Sequence, residues 1–106
     1  MDNFRNKKDQ EYVRRAKAVI PGTMYGHMSV QRRMPSGYPQ FFERAEDCRL
    51  WDVDGNEYID FMCAYGPMIL GYQHPVVEEA ARRQSSKLET ATGPAPVMVE
   101  LAERLG

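Results

Sequence analysis

His27 and His74 are the only histidines in the sequence, and Cys48 and Cys63 are the only cysteines. A zinc or iron site needs such groups a few positions apart, and neither histidine stands at ligand spacing to another ligand type. The cysteines lie fifteen positions apart without His or Cys neighbours. They read as two reduced, structural thiols rather than a metal site or a disulfide framework. Nucleophile and phosphate motifs are also missing: there is no G-x-S-x-G elbow, no G-x-x-x-x-G-K-[ST] loop and no G-x-G-x-x-G turn. His74 precedes Pro75, where a helix-capping or packing role is expected. His27 lies in irregular sequence and is carried as a candidate binding residue. Lys7, Lys8, Lys17 and Lys87 fall on helical or charged segments and read as surface groups.

The elements that must position any such residue follow from periodicity. Tyr12, Val13, Ala16, Val19 and Ile20 recur at helical spacing from Asp9 to Ile20, with Arg14, Arg15 and Lys17 opposite, and Pro21-Gly22 ends the helix. A loop from Gly22 to Pro39 follows, holding the Arg32-Arg33 pair and no sustained period. Loops this long inside a compact domain are uncommon and often functional. Short strands come next: one opened by Phe41 and Phe42, one from Cys48 to Val53, one from Glu57 to Phe61. The segment Asp52 to Glu57, with its Asp-Gly and Gly-Asn pairs, carries a tight turn, so antiparallel pairing is expected, with Trp51 and Val53 on a packed face. After the Gly66 to Gly71 segment, Pro75 opens a second helix with Val76, Val77, Ala80, Ala81 and Leu88 inward. Pro96 opens a third helix with Val97, Met98, Leu101, Ala102 and Leu105 on one side.

Size and charge bound the remaining choices. At 106 residues the chain has the length of one small domain. Its 14 basic and 15 acidic residues give a net charge of −1, which offers no general field for nucleic acid or an anionic membrane. The longest mostly apolar run, Phe61 to Tyr72, is too short to cross a bilayer. The polar N-terminus lacks the apolar core of a secretory signal, so a cytoplasmic location is the default expectation. The third apolar stripe is still running at Gly106, and the central loop is long for so short a chain. The sequence is therefore expected to be part of a larger fold.

Several ordered motifs carry a resemblance over roughly residues 12 to 105. The run from Phe41 to Phe61, with Leu50-Trp51-Asp52-Val53-Asp54-Gly55-Asn56-Glu57-Tyr58-Ile59-Asp60 at its centre, resembles the strand and hairpin entry of class-III pyridoxal-phosphate-dependent aminotransferases. The segment Tyr65-Gly66-Pro67-Met68-Ile69-Leu70-Gly71-Tyr72-Gln73-His74-Pro75 is similar to glutamate-1-semialdehyde aminomutase and its close relatives. Pro21-Gly22 and Gly93-Pro94-Ala95-Pro96 add to the pattern.

The resemblance implies an α/β fold: the N-terminal portion of a fold-type-I pyridoxal-phosphate-dependent transferase, built as a helix, a long loop, an antiparallel meander and two helices. Residues 1–106 would form the N-terminal part of the small domain and the entry to the large cofactor-binding domain. The family enzyme is a homodimer with a shared active site. It uses a lysine that forms a Schiff base with the cofactor aldehyde and an aspartate that pairs with the pyridine nitrogen. No residue of this sequence matches either role, so catalytic and cofactor-binding residues are expected elsewhere and the segment alone is expected to be inactive.

On the substrate side, Tyr65 matches an aromatic position, tryptophan in the aminomutase pattern, that walls the substrate pocket. Gly66 would let backbone approach closely beside it. Gly93 to Ala95 matches a segment that approaches the neighbouring subunit's site, though a helix-entry turn explains it equally well. Gly26 and Ser29 occupy places where the aminomutases carry an arginine that grips a substrate carboxylate; Arg32 and Arg33 come three or more residues later, so either the loop is rerouted or that contact is missing. The expected activity is therefore transamination between an amine or amino acid and an oxo acid or aldehyde. Aminomutase-like isomerisation is the alternative, and a non-catalytic dimerisation fragment the last.

Overall fold

The computed structural model describes residues 5–23 and 37–106. It divides the chain into two compact units, Met1–Gln73 and His74–Gly106. Gly26, His27 and Ser29, with Arg32 and Arg33, lie outside the described residues.

The first unit opens with helix α1 (Lys7–Val19). Its first amides need acceptors that the helix cannot supply, and Asn6 at the N-cap makes no side-chain cap bond. The hairpin loop supplies them instead. Asp54 Oδ1 accepts from Lys8 N at 3.0 Å and Oδ2 from Asp9 N at 2.9 Å, placing a negative charge at the positive end of the helix dipole. Asn56 adds a reciprocal pair, accepting from Arg5 N and donating to Arg5 O at 2.6 Å. Asp54→Ala is accordingly expected to cost about 1 kcal/mol, measured by urea unfolding. Asp54→Asn should lose less, because its amide oxygen can still accept one of the two bonds.

The helical stripe expected over Asp9 to Ile20 forms, displaced at its start by two residues. Of its apolar members Ala16 is buried, Val13 is half-buried, and Tyr12, Val19 and Ile20 remain exposed. Asp9 is buried instead, because its Oδ1 accepts from both Gln40 N and Phe41 N at 2.8 Å. Its carboxylate thus ties α1 to the chain entering the sheet. Tyr12 adds a ring contact to Phe41, with centroids 5.5 Å apart.

The sheet is a three-stranded antiparallel meander of β1 (Phe42–Glu46), β2 (Arg49–Asp52) and β3 (Glu57–Ile59), in order β1-β2-β3. Register pairs Phe42 with Asp52 and Leu50 with Tyr58, so alternation puts these four side chains on one face. Phe42 and Tyr58 meet edge to face there, 6.1 Å apart.

The burial of the two faces departs from the sequence pattern. Trp51 and Val53 are only half-buried, and the Arg44 guanidinium stacks over the Trp51 ring at 3.5 Å. Among the described residues Asp52 is the deepest side chain, 1% exposed. The hairpin folds its own donors onto that carboxylate, which satisfies a charge that burial alone would expel.

In the second unit, α2 (Pro75–Ser85) and α3 (Pro96–Leu105) each begin with proline at the first turn, where a missing N–H leaves no bond unmade. Their apolar stripes are exposed: Val76 is 70%, Met98 60% and Leu101 58% accessible. His74 takes the N-cap position of α2 but makes no side-chain cap bond, and its Nδ1 is buried without a partner. Of the capping or packing role expected for the imidazole, the capping bond is therefore not made. Among the described residues no helix is long and apolar enough to cross a membrane.

Candidate functional site

Between β3 and α2 the chain runs Asp60 to Gln73 through a series of tight turns. The backbone reverses hand after Met62: Cys63, Ala64 and Tyr65 have φ of 50°, 48° and 65°, and Gly66 follows at 109°. Left-handed geometry costs an L-residue about 1–2 kcal/mol, and three in a row persist only where surrounding contacts dictate them. Such strain gathers at binding and catalytic segments. Here it lifts the Tyr65 ring outward, 61% exposed, beside the bare backbone of Gly66.

Three layers of hydrogen bonds hold this turn. Within it, Tyr65 N donates to Met62 O at 3.0 Å and Gly66 N to Cys63 O at 2.8 Å. At its base, Asp60 Oδ1 accepts from Met62 N at 2.7 Å and Oδ2 from the Tyr72 hydroxyl at 2.6 Å. Behind that, Tyr72 is paired with Asp47, N to O at 2.8 Å one way and 3.1 Å the other. Gly71 makes this pairing possible, since a Cβ there would stand 3.2 Å from Asp47 Cα and O.

The electrostatics follow from this packing. Burial works to raise the Asp60 pKa, but bonds from the Tyr72 hydroxyl and from the backbone of Met62, Cys63 and Ala64 outweigh it, and the carboxyl lies below its usual range. Burial, and then the Asp60 carboxylate, push the Tyr72 hydroxyl up to about 12. Tyr72 therefore stays protonated and keeps donating. A small cavity of about 100 Å³ lies beneath the turn, lined by residues that include Asp60, Cys63, Met68 and Tyr72. Both cysteines are free.

Of the sequence-derived site residues, Tyr65 and Gly66 thus stand together on the strained turn, while Gly26, His27 and Ser29 lie outside the described residues. Gly93 to Ala95 leads into α3, with Ala95 extended at the cap position. Sequence reasoning passed over Asp60, Tyr72 and Asp47. Their only signal was the Tyr-x-Asp spacing at Tyr58 and Asp60, which marks a strand end and says nothing of what the aspartate holds.

The segment flanking Tyr65 in sequence also carries an exposed apolar apron. Phe61 is 91%, Ile69 82% and Leu70 65% accessible, a grouping that marks a surface for further protein or ligand. Among the described residues no cluster of three His, Cys, Asp or Glu could hold a metal ion.

The fold recurs in solved structures. A transaminase with pyridoxal phosphate bound superposes with a TM-score of 0.81 at 31% identity, covering 97% of this chain and 23% of its own. The pyridoxal-phosphate internal aldimine form of the Sphingopyxis sp. MTA144 FumI protein gives 0.78 at 50% identity, covering 90% of this chain and 23% of its own. The described fold is thus one that pyridoxal-phosphate-dependent transaminases share.

Sequence comparison narrows the class, since residues 30–105 match the model for aminotransferase class-III. The chain belongs to the class-III aminotransferase family. Among curated relatives, the aminopentol aminotransferase of Sphingopyxis macrogoltabida is 50% identical over 103 residues, 97% of this chain and 24% of its own. A glutamate-1-semialdehyde 2,1-aminomutase of Desulforamulus reducens is 38% identical, over 93% of this chain and 23% of its own. The chain thus spans about a quarter of the length of these relatives.

Pyridoxal 5'-phosphate is the cofactor of this family, yet the described residues do not fit its anchoring. A lysine that holds an aldehyde needs an enclosed setting with an anionic partner for the ring nitrogen. Lys7, Lys8, Lys17 and Lys87 are all exposed.

Proposed function

We propose that the full-length protein carrying this chain is an aminotransferase that moves an amino group between an amine or amino acid and an oxo acid or aldehyde, with Tyr65 and Gly66 forming part of the substrate wall. The single observation that carries this reading is the 50% identity over 97% of the chain to an aminopentol aminotransferase. The strained turn supports it, because it sets an aromatic face and a hydrogen-bonding hydroxyl on the surface next to a backbone with no side chain. The cofactor supplies the electron sink for cleaving bonds at the amine-bearing carbon, and this segment's residues bind and orient the amine.

The substrate class we infer is an amine without a carboxylate at the position the aminomutases grip with arginine. Gly26 and Ser29 can neither pair with nor fork around a carboxylate. An aminopentol, an amino alcohol by its name, suits such a loop. A homodimer sharing its active sites, and a cytoplasmic setting, are parts of the same proposal. The exposed stripes of α2 and α3 and the apron flanking Tyr65 are the faces that the rest of the protein would cover.

The test is steady-state turnover of aminopentol by the full-length protein, with and without pyruvate, 2-oxoglutarate or succinic semialdehyde as acceptor. Acceptor-dependent turnover is expected. Turnover of glutamate-1-semialdehyde without any acceptor would favour the aminomutase reading, which the 38% relatives keep in play. In the same assay Tyr65→Ala is expected to raise KM for the amine about tenfold, the loss of one aromatic face and its hydroxyl. Tyr65→Phe should raise it about threefold, since it keeps the ring. An unchanged KM in Tyr65→Ala would remove this residue from the site.

A further inference from the structure

Tyr65 does not hold its place by its own packing, being mostly exposed on a run of left-handed residues. Something beneath the turn must fix the geometry. The Asp60 carboxylate is the group in position to do so, with one oxygen on Met62 N and the other on the Tyr72 hydroxyl. Tyr72 is in turn locked to Asp47, at the tight connection between β1 and β2, by two backbone bonds. The sheet, Tyr72, Asp60 and the turn therefore form one continuous hydrogen-bonded chain ending at the backbone of Tyr65.

We propose that Asp60 is a positioning residue for substrate binding: anchored by Tyr72, its carboxylate sets the turn that presents Tyr65 and Gly66 to the amine. This rests on the reading of Tyr65 as part of the substrate wall. In this role Asp60 acts through the backbone of Met62 to Ala64 rather than by gripping the amine itself. Asparagine at this position can still accept from Met62 N and meet the Tyr72 hydroxyl with its amide, so it should restore most of the function. Alanine can do neither.

The experiment is a double-mutant cycle in the full-length holoenzyme with aminopentol as the amine. Asp60→Ala is expected to raise KM about tenfold while kcat stays within about threefold. In the Tyr65→Ala background the same change should move KM by less than about twofold, because the two residues act on one contact. Asp60→Asn should keep KM within about threefold of wild type. A merely structural aspartate would lower the unfolding temperature and the active fraction without moving KM.

An unchanged KM in Asp60→Ala, or effects that multiply with those of Tyr65→Ala, would overturn the proposal. Should Asp60→Ala fail to fold, Tyr72→Phe decides, since it removes only the hydroxyl. A KM rise of about threefold that vanishes in the Tyr65→Ala background supports the proposal, and its absence refutes it. Failure of the underlying reading is recognised separately: Tyr65→Ala with a wild-type KM refutes the substrate wall, and the positioning role with it, without any Asp60 variant.

Discussion

Replacing Asp52 by alanine is expected to lower the unfolding free energy by about 3–5 kcal/mol. The carboxylate is 1% exposed and accepts from Asp54 N at 3.0 Å, Asn56 N at 2.8 Å, Asn56 Nδ2 at 2.7 Å and the Tyr58 hydroxyl at 2.7 Å. Alanine would leave those donors facing a small void. The damage would spread, because Asp54 and Asn56 also cap α1. Urea unfolding of the protein reads the loss, and a cost under about 1 kcal/mol would mean that water replaces the carboxylate easily.

The same residue predicts a pH dependence. Burial tends to raise the Asp52 pKa, but the bonds from the Asn56 side chain, the Tyr58 hydroxyl and the backbone of Asn56 and Asp54 bring it below the ordinary value. Burial, then the Asp52 carboxylate, push Tyr58 upward, so its hydroxyl remains a donor. A carboxyl with a depressed folded pKa binds protons more readily when unfolded. Its contribution is therefore complete above the unfolded value of about 4 and is lost as pH falls through the lower folded value. Asp60 acts in the same direction. Wild-type stability should decline below about pH 4, and Asp52→Ala should flatten that decline.

These acidic side chains also mark what the sequence could and could not disclose. Elements set by local pattern were legible: the proline-opened helices, the amphipathic α1, and the meander turning at Asp54-Gly55-Asn56. Trp51 misled because alternation assigns faces but not depth. A tryptophan can remain half-buried under a stacked arginine, while an aspartate goes deeper when four donors converge on it. Those donors come from the hairpin itself, so Asp52 looked like an ordinary turn residue.

The site was legible in part for a related reason. Tyr65 and Gly66 stood out as an aromatic beside a glycine in a motif of known character. Cys63 and Ala64 gave no hint of a left-handed backbone, because neither favours it intrinsically. That conformation is imposed from Asp60 and Tyr72, twelve positions apart in sequence, and a pairing at that distance has no local signature. Tyr72 looked like one more member of the motif from Tyr65 to Pro75.

Gly71→Ala is expected to cost about 2–4 kcal/mol, combining a left-handed φ with overpacking. Gly71 has φ 89°, and a Cβ would stand 3.2 Å from Asp47 Cα and O and 3.3 Å from its carbonyl carbon. All three are backbone atoms held by the two bonds to Tyr72, so the strain cannot be relieved by turning a side chain. Separating the strands would move Tyr72 and, through its hydroxyl, Asp60. Gly55→Ala provides the comparison. Its φ of 84° is nearly the same, but nothing lies within 4 Å of its Cβ position, so it carries the conformational penalty alone, about 1–2 kcal/mol. The difference between the two variants in urea unfolding isolates the close approach to Asp47. Equal losses would show that Gly71 is needed only for its backbone angle. A larger loss at Gly71, accompanied by a raised KM that Gly55→Ala does not produce, is the expected result, because only Gly71 sits on the hydrogen-bonded path that ends at Tyr65.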